Sequence, residues 1–319
     1  VGKLSLADQK RLDRLSKRRG RVKPSKVPAR LVRTSAFAPK RRGLITDSAF
    51  ERLYVVKGHS VVRVSGRELG SQHRDALYAV FRLDAKHLRL PDDKAFSGYS
   101  LVMRVTTTWR ELLKMMNLTE HVNNVAVLKF TFEEIKKVVM TVYEGQDAKL
   151  LEDYRDGRLP QVKGRMGNLL NDIAWGGVGL DDWVQVDYGD WTVNAVMSAK
   201  LVSLNADVQF RLTSDYAKSI WPYIDGLTKH HWVDEDRLAE LVGRDLWAEH
   251  ESSATRRDFR ASCRKAFDDM VKAGGLKEWR EEIRGDGRHK TRRYHYVHGL
   301  EPDPQLSLPI GNPLLEPRA

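Results

Sequence analysis

The chain has 319 residues, of which 41% are hydrophobic and 31% charged, with a formal net charge of +12 and a single cysteine. One cysteine excludes an internal disulfide and a cysteine-rich zinc site. The apolar runs are too short to span a bilayer and no secretory pattern opens the chain, so a cytoplasmic setting with no membrane partner is expected.

The charge is unevenly placed. Residues 1–42 carry 15 Lys/Arg against 2 Asp/Glu, residues 43–251 sum to −5, residues 252–298 to +6, and the remainder to −2. Two basic islands on a mildly acidic body favour a polyanionic partner, with nucleic acid ahead of membrane. Residues 1–30 read as a basic flexible arm, broken at Gly20, Pro24 and Pro28, with ordered structure expected from about Leu31.

The pattern from 31 onward is mixed. The segment His59–Gly66 reads as a strand, and Ser71–Leu83 as an amphipathic helix with Ala76, Leu77, Val80 and Phe81 inward. A second strand follows at Ser100–Thr106. Thr108 with Glu111 forms a capping box that opens a helix at Trp109. After a break at Asn117-Leu118-Thr119, a longer helix is expected from about Asn123 to Tyr143, burying Val127, Leu128, Ile135, Val138, Val139 and Val142. Residues 145–182 read as an insertion or long loop. Trp183 to Val202 reads as a hairpin about Gly189-Asp190, and Ala206–Leu212 as a further strand. Strand, helix, short turn, helix and hairpin is a winged-helix order.

The same order returns. Ser214–Ile224 and Asp234–Gly243 read as helices. Thr255 with Asp258 suggests a capping box and Gly274-Gly275 a stop. Between them Phe259, Cys263, Ala266, Phe267, Met270 and Val271 form a buried stripe, which makes Cys263 a core residue. Arg257, Arg260 and Arg264 lie within an arc of roughly 60° beside that stripe, with Arg256 near the helix N-terminus. The chain then forms a hairpin about Gly285-Asp286-Gly287, whose far side carries Arg288, Lys290, Arg292 and Arg293. These eight basic residues are the expected DNA contacts, the helix for bases and the wing for backbone.

Chemistry beyond binding has little support. Trp175-Gly-Gly-Val-Gly179 lacks the Lys-Ser/Thr of a phosphate-binding loop. His295 and His298 point to opposite faces of a strand, and Tyr294 and Tyr296 share that strand rather than facing a metal. No catalytic residue, cofactor or metal is expected. The proline-rich tail from 300 contains Gln305-Leu306-Ser307-Leu308-Pro309-Ile310, which is similar to the short peptide by which bacterial proteins dock on the DNA polymerase III sliding clamp.

Three islands carry a wider resemblance: Arg33-Thr-Ser-Ala-Phe37, Ser65-Gly-Arg-Glu-Leu69 and Tyr216-Ala-Lys-Ser-Ile-Trp221. With the basic helix and wing, they make the chain resemble the TrfA-type, iteron-binding plasmid replication initiators over roughly 31–299. The expected fold is α+β, two tandem winged-helix domains at 31–210 and 211–299, between a basic arm (1–30) and a flexible tail (300–319). The resemblance implies a protein that binds direct repeats in a plasmid origin, assists opening with the host initiator, and recruits the replicative helicase, with a homodimeric storage form. In that family a clamp motif lies on the N-terminal side, whereas here the candidate is C-terminal and ends in Pro-Ile. Two other readings compete, a winged-helix transcriptional or partition regulator and an origin-nicking enzyme.

Overall fold

The computed structural model describes residues 24–56, 60–91, 99–145, 147–158, 162–198, 201–227, 231–244, 246, 252–285 and 290–299. In chain order the first elements are β1 (Ser25–Pro28), α1 (Ala29–Arg33), β2 (Glu51–Val56), β3 (Ser60–Ser65), α2 (Ser71–Val80), β4 (Lys86–Pro91) and β5 (Tyr99–Thr108). Then come α3 (Trp109–Met115), α4 (Val122–Lys136), β6 (Val139–Glu144), α5 (Asp147–Arg155), β7 (Gly164–Asn168), β8 (Leu170–Trp175), β9 (Trp183–Tyr188) and α6 (Asp190–Met197). The chain continues through β10 (Leu201–Leu204), α7 (Ala206–Arg211), α8 (Asp215–Gly226), β11 (Trp232–Asp234), α9 (Glu235–Leu241), α10 (Ser253–Lys272), β12 (Leu276–Arg284) and β13 (Thr291–His298).

One topology occurs twice. In the second unit a helix (α8), a strand (β11), two helices (α9, α10) and a hairpin (β12–β13) make an antiparallel sheet of order β11-β13-β12. In the first, α2, β5, α3, α4 and the hairpin β8–β9 give the same neighbours, in a sheet of order β4-β5-β9-β8. The strand before the helix pair lies beside the last strand of the hairpin in both, which is the winged-helix arrangement.

Several sequence expectations are corrected. The helix expected to reach Tyr143 ends at Lys136, and Val139–Glu144 pairs with β3, Val139 opposite Ser65. Its Val, Thr and Tyr residues are strand formers once a neighbouring strand is available. Val127, expected in the core, is 50% exposed. Residues 145–182 are an insertion with structure: α5 and β7, the latter on the β2-β3-β6-β7 sheet, and then β8. The first wing turns between Trp175 and Trp183, where the glycine run sits, and not at Gly189-Asp190, where α6 begins instead. Asp182 ties that turn by accepting the Gly179 N–H at 2.7 Å. Ala206–Arg211 is a helix, since Asn205 caps it through the Val208 N–H. Packed structure also starts before Leu31: β1 pairs with β10, and the buried Ser25 hydroxyl donates to the Tyr78 carbonyl at 2.7 Å.

The three islands of the resemblance meet at the junction of the two units. Thr34 to Phe37 are buried. Arg74 of α2 donates to the Phe37 carbonyl (2.9 Å) and to the Ser219 hydroxyl of α8 (2.8 Å), with its guanidinium over the Phe37 ring. Asp75 pairs with Lys218 and accepts from Gln209 at 3.0 Å, all three buried. Gly66 has φ +106°, and a Cβ there would lie 2.4 Å from the Lys137 carbonyl oxygen, so only glycine fits. Beside it Arg67 pairs with Glu134 of α4, which also takes the His73 Nε2–H at 2.8 Å. His73 Nδ1 accepts the Gly70 N–H, which fixes that tautomer. A single hydrophobic core cluster runs through both units, from Val27 to Tyr296.

Candidate nucleic-acid interface

The second unit is built around α10. Its helix starts at Ser253 rather than at the expected Thr255 box: Ser252 is the N-cap and accepts the Thr255 N–H at 3.1 Å. Gly274 adopts φ +74° immediately after the helix, as a left-handed stop requires. Phe259, Cys263, Ala266, Phe267 and Met270 are buried as the spacing predicts. Phe267 stacks on Tyr294 of β13 with ring centroids 5.1 Å apart and packs beside Trp279 and Tyr296. These aromatics clamp the hairpin onto the helix, and burial raises the Tyr294 phenol pKa well above its ordinary value.

Side chains on the arginine arc differ in exposure. Arg257 is 81% exposed, Arg264 43% and Arg260 21%. Arg260 makes a two-point ion pair with Glu235, the fully buried first residue of α9, and its Nη2 also reaches the Lys290 carbonyl. Arg264 binds Glu281 of β12 at 3.0 Å, and Arg292 of β13 binds the same carboxylate at 2.9 Å. Hydrogen bonding to these acids raises the pKa of both Arg260 and Arg264. Arg293 pairs with Asp234 at 2.8 Å and stacks over Trp232.

The eight expected contact residues therefore separate. Arg260 and Arg293 are held by carboxylates on the β11–α9 corner, and Arg264 and Arg292 share one acid between helix and wing. Arg256 is half-buried, whereas Arg257 and Lys290 are exposed. Arg288 lies outside the described residues, as do residues 1–23 and the tail motif Gln305 to Ile310.

Along α10 the exposed row is Ala254, Arg257, Ala261, Lys265, Asp268 and Lys272, at spacings of three and four that follow one helix face. Two alanines in its first half leave the backbone open to close approach. On the wing, Ile283 (60% exposed), Arg284 and Lys290 stand outward. Lys265, Arg284 and Ile283 escape a reading based on the arginine arc. Lys265 and Arg284 were visible as basic residues, but only the pairing of the others with acids distant in sequence shows their relative availability.

The histidines and tyrosines of β13 do not converge on a common point. His295 pairs with Glu282 at 2.6 Å, Tyr294 and Tyr296 are buried, and His298 packs on the Tyr296 ring. Among the described residues no cluster of three His, Cys, Asp or Glu suited to a metal occurs, and no helix is long and apolar enough to cross a membrane.

The first unit presents a different helix. Outward from α4 stand Val122, Asn123, Ala126, Val127 and Phe130, with one exposed basic residue, Lys136, at its C-terminal end, paired with Asp172.

Two winged-helix units in tandem, with a basic helix and wing on the second, define the class of fold. No family model and no curated protein matches the chain. Among solved structures, it is similar to a crystal structure of domains 2 and 3 of RctB, with a TM-score of 0.54 and 9% identity over 86% of this chain and 99% of that one. A second structure of RctB domains 2–3 gives a TM-score of 0.48 and 9% identity (85% and 96% covered). The Pi initiator protein in complex with iteron DNA gives 0.48 and 11% identity (72% and 90% covered). At 9% identity and a TM-score of 0.54, what the chain shares with the first of these is the fold.

Proposed function

We propose that this chain is an iteron-binding replication initiator, whose second winged-helix unit reads one repeat of an origin array. The observation that carries the reading is the outward row of α10 together with the basic wing, on a segment of net charge +6 attached to an acidic body. In a winged-helix complex the second helix of the pair enters the major groove and the wing follows the backbone or the adjacent minor groove. Arg257 and Lys265 would face bases and phosphates in the major groove. Arg256 would position a phosphate near the helix N-terminus, and Arg284, Arg288 and Lys290 would line the wing tip. Arg264 and Arg292 would hold the crease between helix and wing, while Arg260 and Arg293 serve the scaffold that presents them. No catalytic step is part of this function.

Footprinting on the DNA that flanks the gene tests it. Protection of regularly spaced direct repeats is the expected result. Protection of a palindrome near a promoter would replace this reading with the transcriptional or partition regulator, and metal-dependent cleavage of single-stranded origin DNA would replace it with the nicking enzyme.

Recruitment of host proteins is the finer part of the proposal. Residues Gln305 to Ile310 would dock on the polymerase III sliding clamp, with Leu306, Leu308 and Ile310 in an apolar pocket and Gln305 setting register. Origin opening with the host initiator, loading of the replicative helicase and a homodimeric storage form follow from the resemblance. Equal capture by purified clamp of the full chain and of a chain ending at Gly299 would remove the clamp from this scheme.

A further inference from the structure

The wing of the second unit carries an apolar residue where a charged one would be expected. Ile283 is the penultimate residue of β12, directly opposite Arg292 and followed by Arg284, which is opposite Thr291. At 60% exposure it is the most exposed large hydrophobic residue of the second unit, among the described residues. By strand alternation it shares a face with Trp279 and Glu281. Trp279 packs on Phe267 and Glu281 binds Arg264, so that face is the one turned toward α10. Ile283 continues the row beyond the last of these contacts, toward the end of the hairpin where the Lys290 carbonyl meets Arg260. It therefore lines the open end of the crease between recognition helix and wing.

Around it Glu281 is paired with Arg264 and Arg292 and Glu282 with His295, which leaves Arg284 and Lys290 as the outward cations. Arg284 and Lys290 are exposed, and Arg292 stands across the strand pair. An apolar protein partner would have to bury these cations, whereas a phosphodiester strand meets both needs, with phosphates for the cations and a deoxyribose face for the isoleucine. When a helix occupies the major groove and a wing the neighbouring minor groove, the strand between the grooves must run through this crease.

We infer that Ile283 packs against the deoxyribose edge of the strand separating the two grooves, as a sequence-independent apolar contact, with Lys290 at the end of the hairpin and Arg284 on the other face of β12 reaching the neighbouring phosphates. This rests on the DNA-binding part of the function proposed above and adds the chemical surface that one named residue meets. The contact excludes water beside the flanking ion pairs and releases no counterion.

That last property gives the test. Binding of the full chain to mixed-sequence duplex DNA and to the footprinted repeat is measured against salt for the parent, Ile283→Ala, Ile283→Val and Arg284→Ala. Ile283→Ala should weaken binding to both duplexes by about tenfold with an unchanged slope of log affinity against log salt. Ile283→Val should retain most of the affinity, and Arg284→Ala should flatten the slope by about one phosphate. Equal affinity of Ile283→Ala and the parent overturns the inference, as does a loss confined to the repeat, which would mean a base contact. Thermal melting of each variant, expected to match the parent because Ile283 is exposed, separates binding from folding. If the parent fails to bind any duplex, the function proposed above falls. If it binds and Ile283→Ala is silent, only this inference falls.

Discussion

Arg260 and Glu235 form a two-point ion pair that ties the middle of the candidate recognition helix to the first residue of the helix before it, with the carboxylate fully buried. A buried carboxylate at that position needs its partner. Removing one member of such a pair leaves an uncompensated charge.

Arg260→Ala should therefore act on the fold first, lowering stability by about 3 kcal/mol. Arg257→Ala, at an exposed position, should leave stability within about 0.5 kcal/mol and weaken DNA binding by about 1–3 kcal/mol. Urea denaturation and DNA titration of both variants separate the effects. Unchanged stability of Arg260→Ala would show that the ion pair is not needed.

At the unit junction, Lys218→Met should strand Asp75 with only the Gln209 amide, at a cost of about 3–5 kcal/mol. The double change Lys218→Met with Asp75→Asn should recover most of that loss, since no buried charge remains. A double-mutant cycle in denaturant reads the difference.

The structure also sets a pH dependence. Burial lowers the pKa of His73 below its ordinary 6.5, and hydrogen bonding to Glu134 only partly opposes this. The unfolded chain then binds a proton that the folded protein refuses, so stability is full above pH 6.5 and falls as pH drops through it toward the folded value. His73→Gln should remove this part of the slope between pH 7.5 and 5.5 in thermal melts, leaving the carboxylate contributions at lower pH. An unchanged slope would mean that His73 is not the titrating group.

Cys263 is buried on the inner face of α10, and burial pushes its thiol pKa far up. The native protein should react negligibly with thiol reagents at neutral pH and label only as fast as it unfolds. Rapid stoichiometric labelling in buffer would contradict the packing of the helix.

Much of the second unit was legible in its residues because its signals are local. The row Phe259, Cys263, Ala266, Phe267 and Met270 has one period throughout, and Gly274 stops it. The first unit was harder to read. Val138 to Val142 has the apolar density of a helix, and the distant strands Ser60–Ser65 and Gly164–Asn168, which pair with it on either side, make it β. The glycines at 176, 177 and 179 marked a turn, but the insertion of α5 and β7 separates that wing from its helix by more residues than a compact hairpin pattern allows. On the interface, basic residues were easy to find and their availability was not. Glu235 and Asp234 lie some 25 and 59 residues from the arginines they hold, and no periodicity in the sequence connects them.

The buried clasp of Arg74, Asp75, Lys218 and Ser219 joins the leading helix of each unit, so a turn of one wing relative to the other would have to break buried polar contacts. While that clasp holds, the molecule would act as a caliper with its jaws fixed. On a double helix of about 10.5 base pairs per turn, a site lengthened by half a turn would present its second groove to the wrong side. On the function proposed above, a pair so joined would read DNA in one phase.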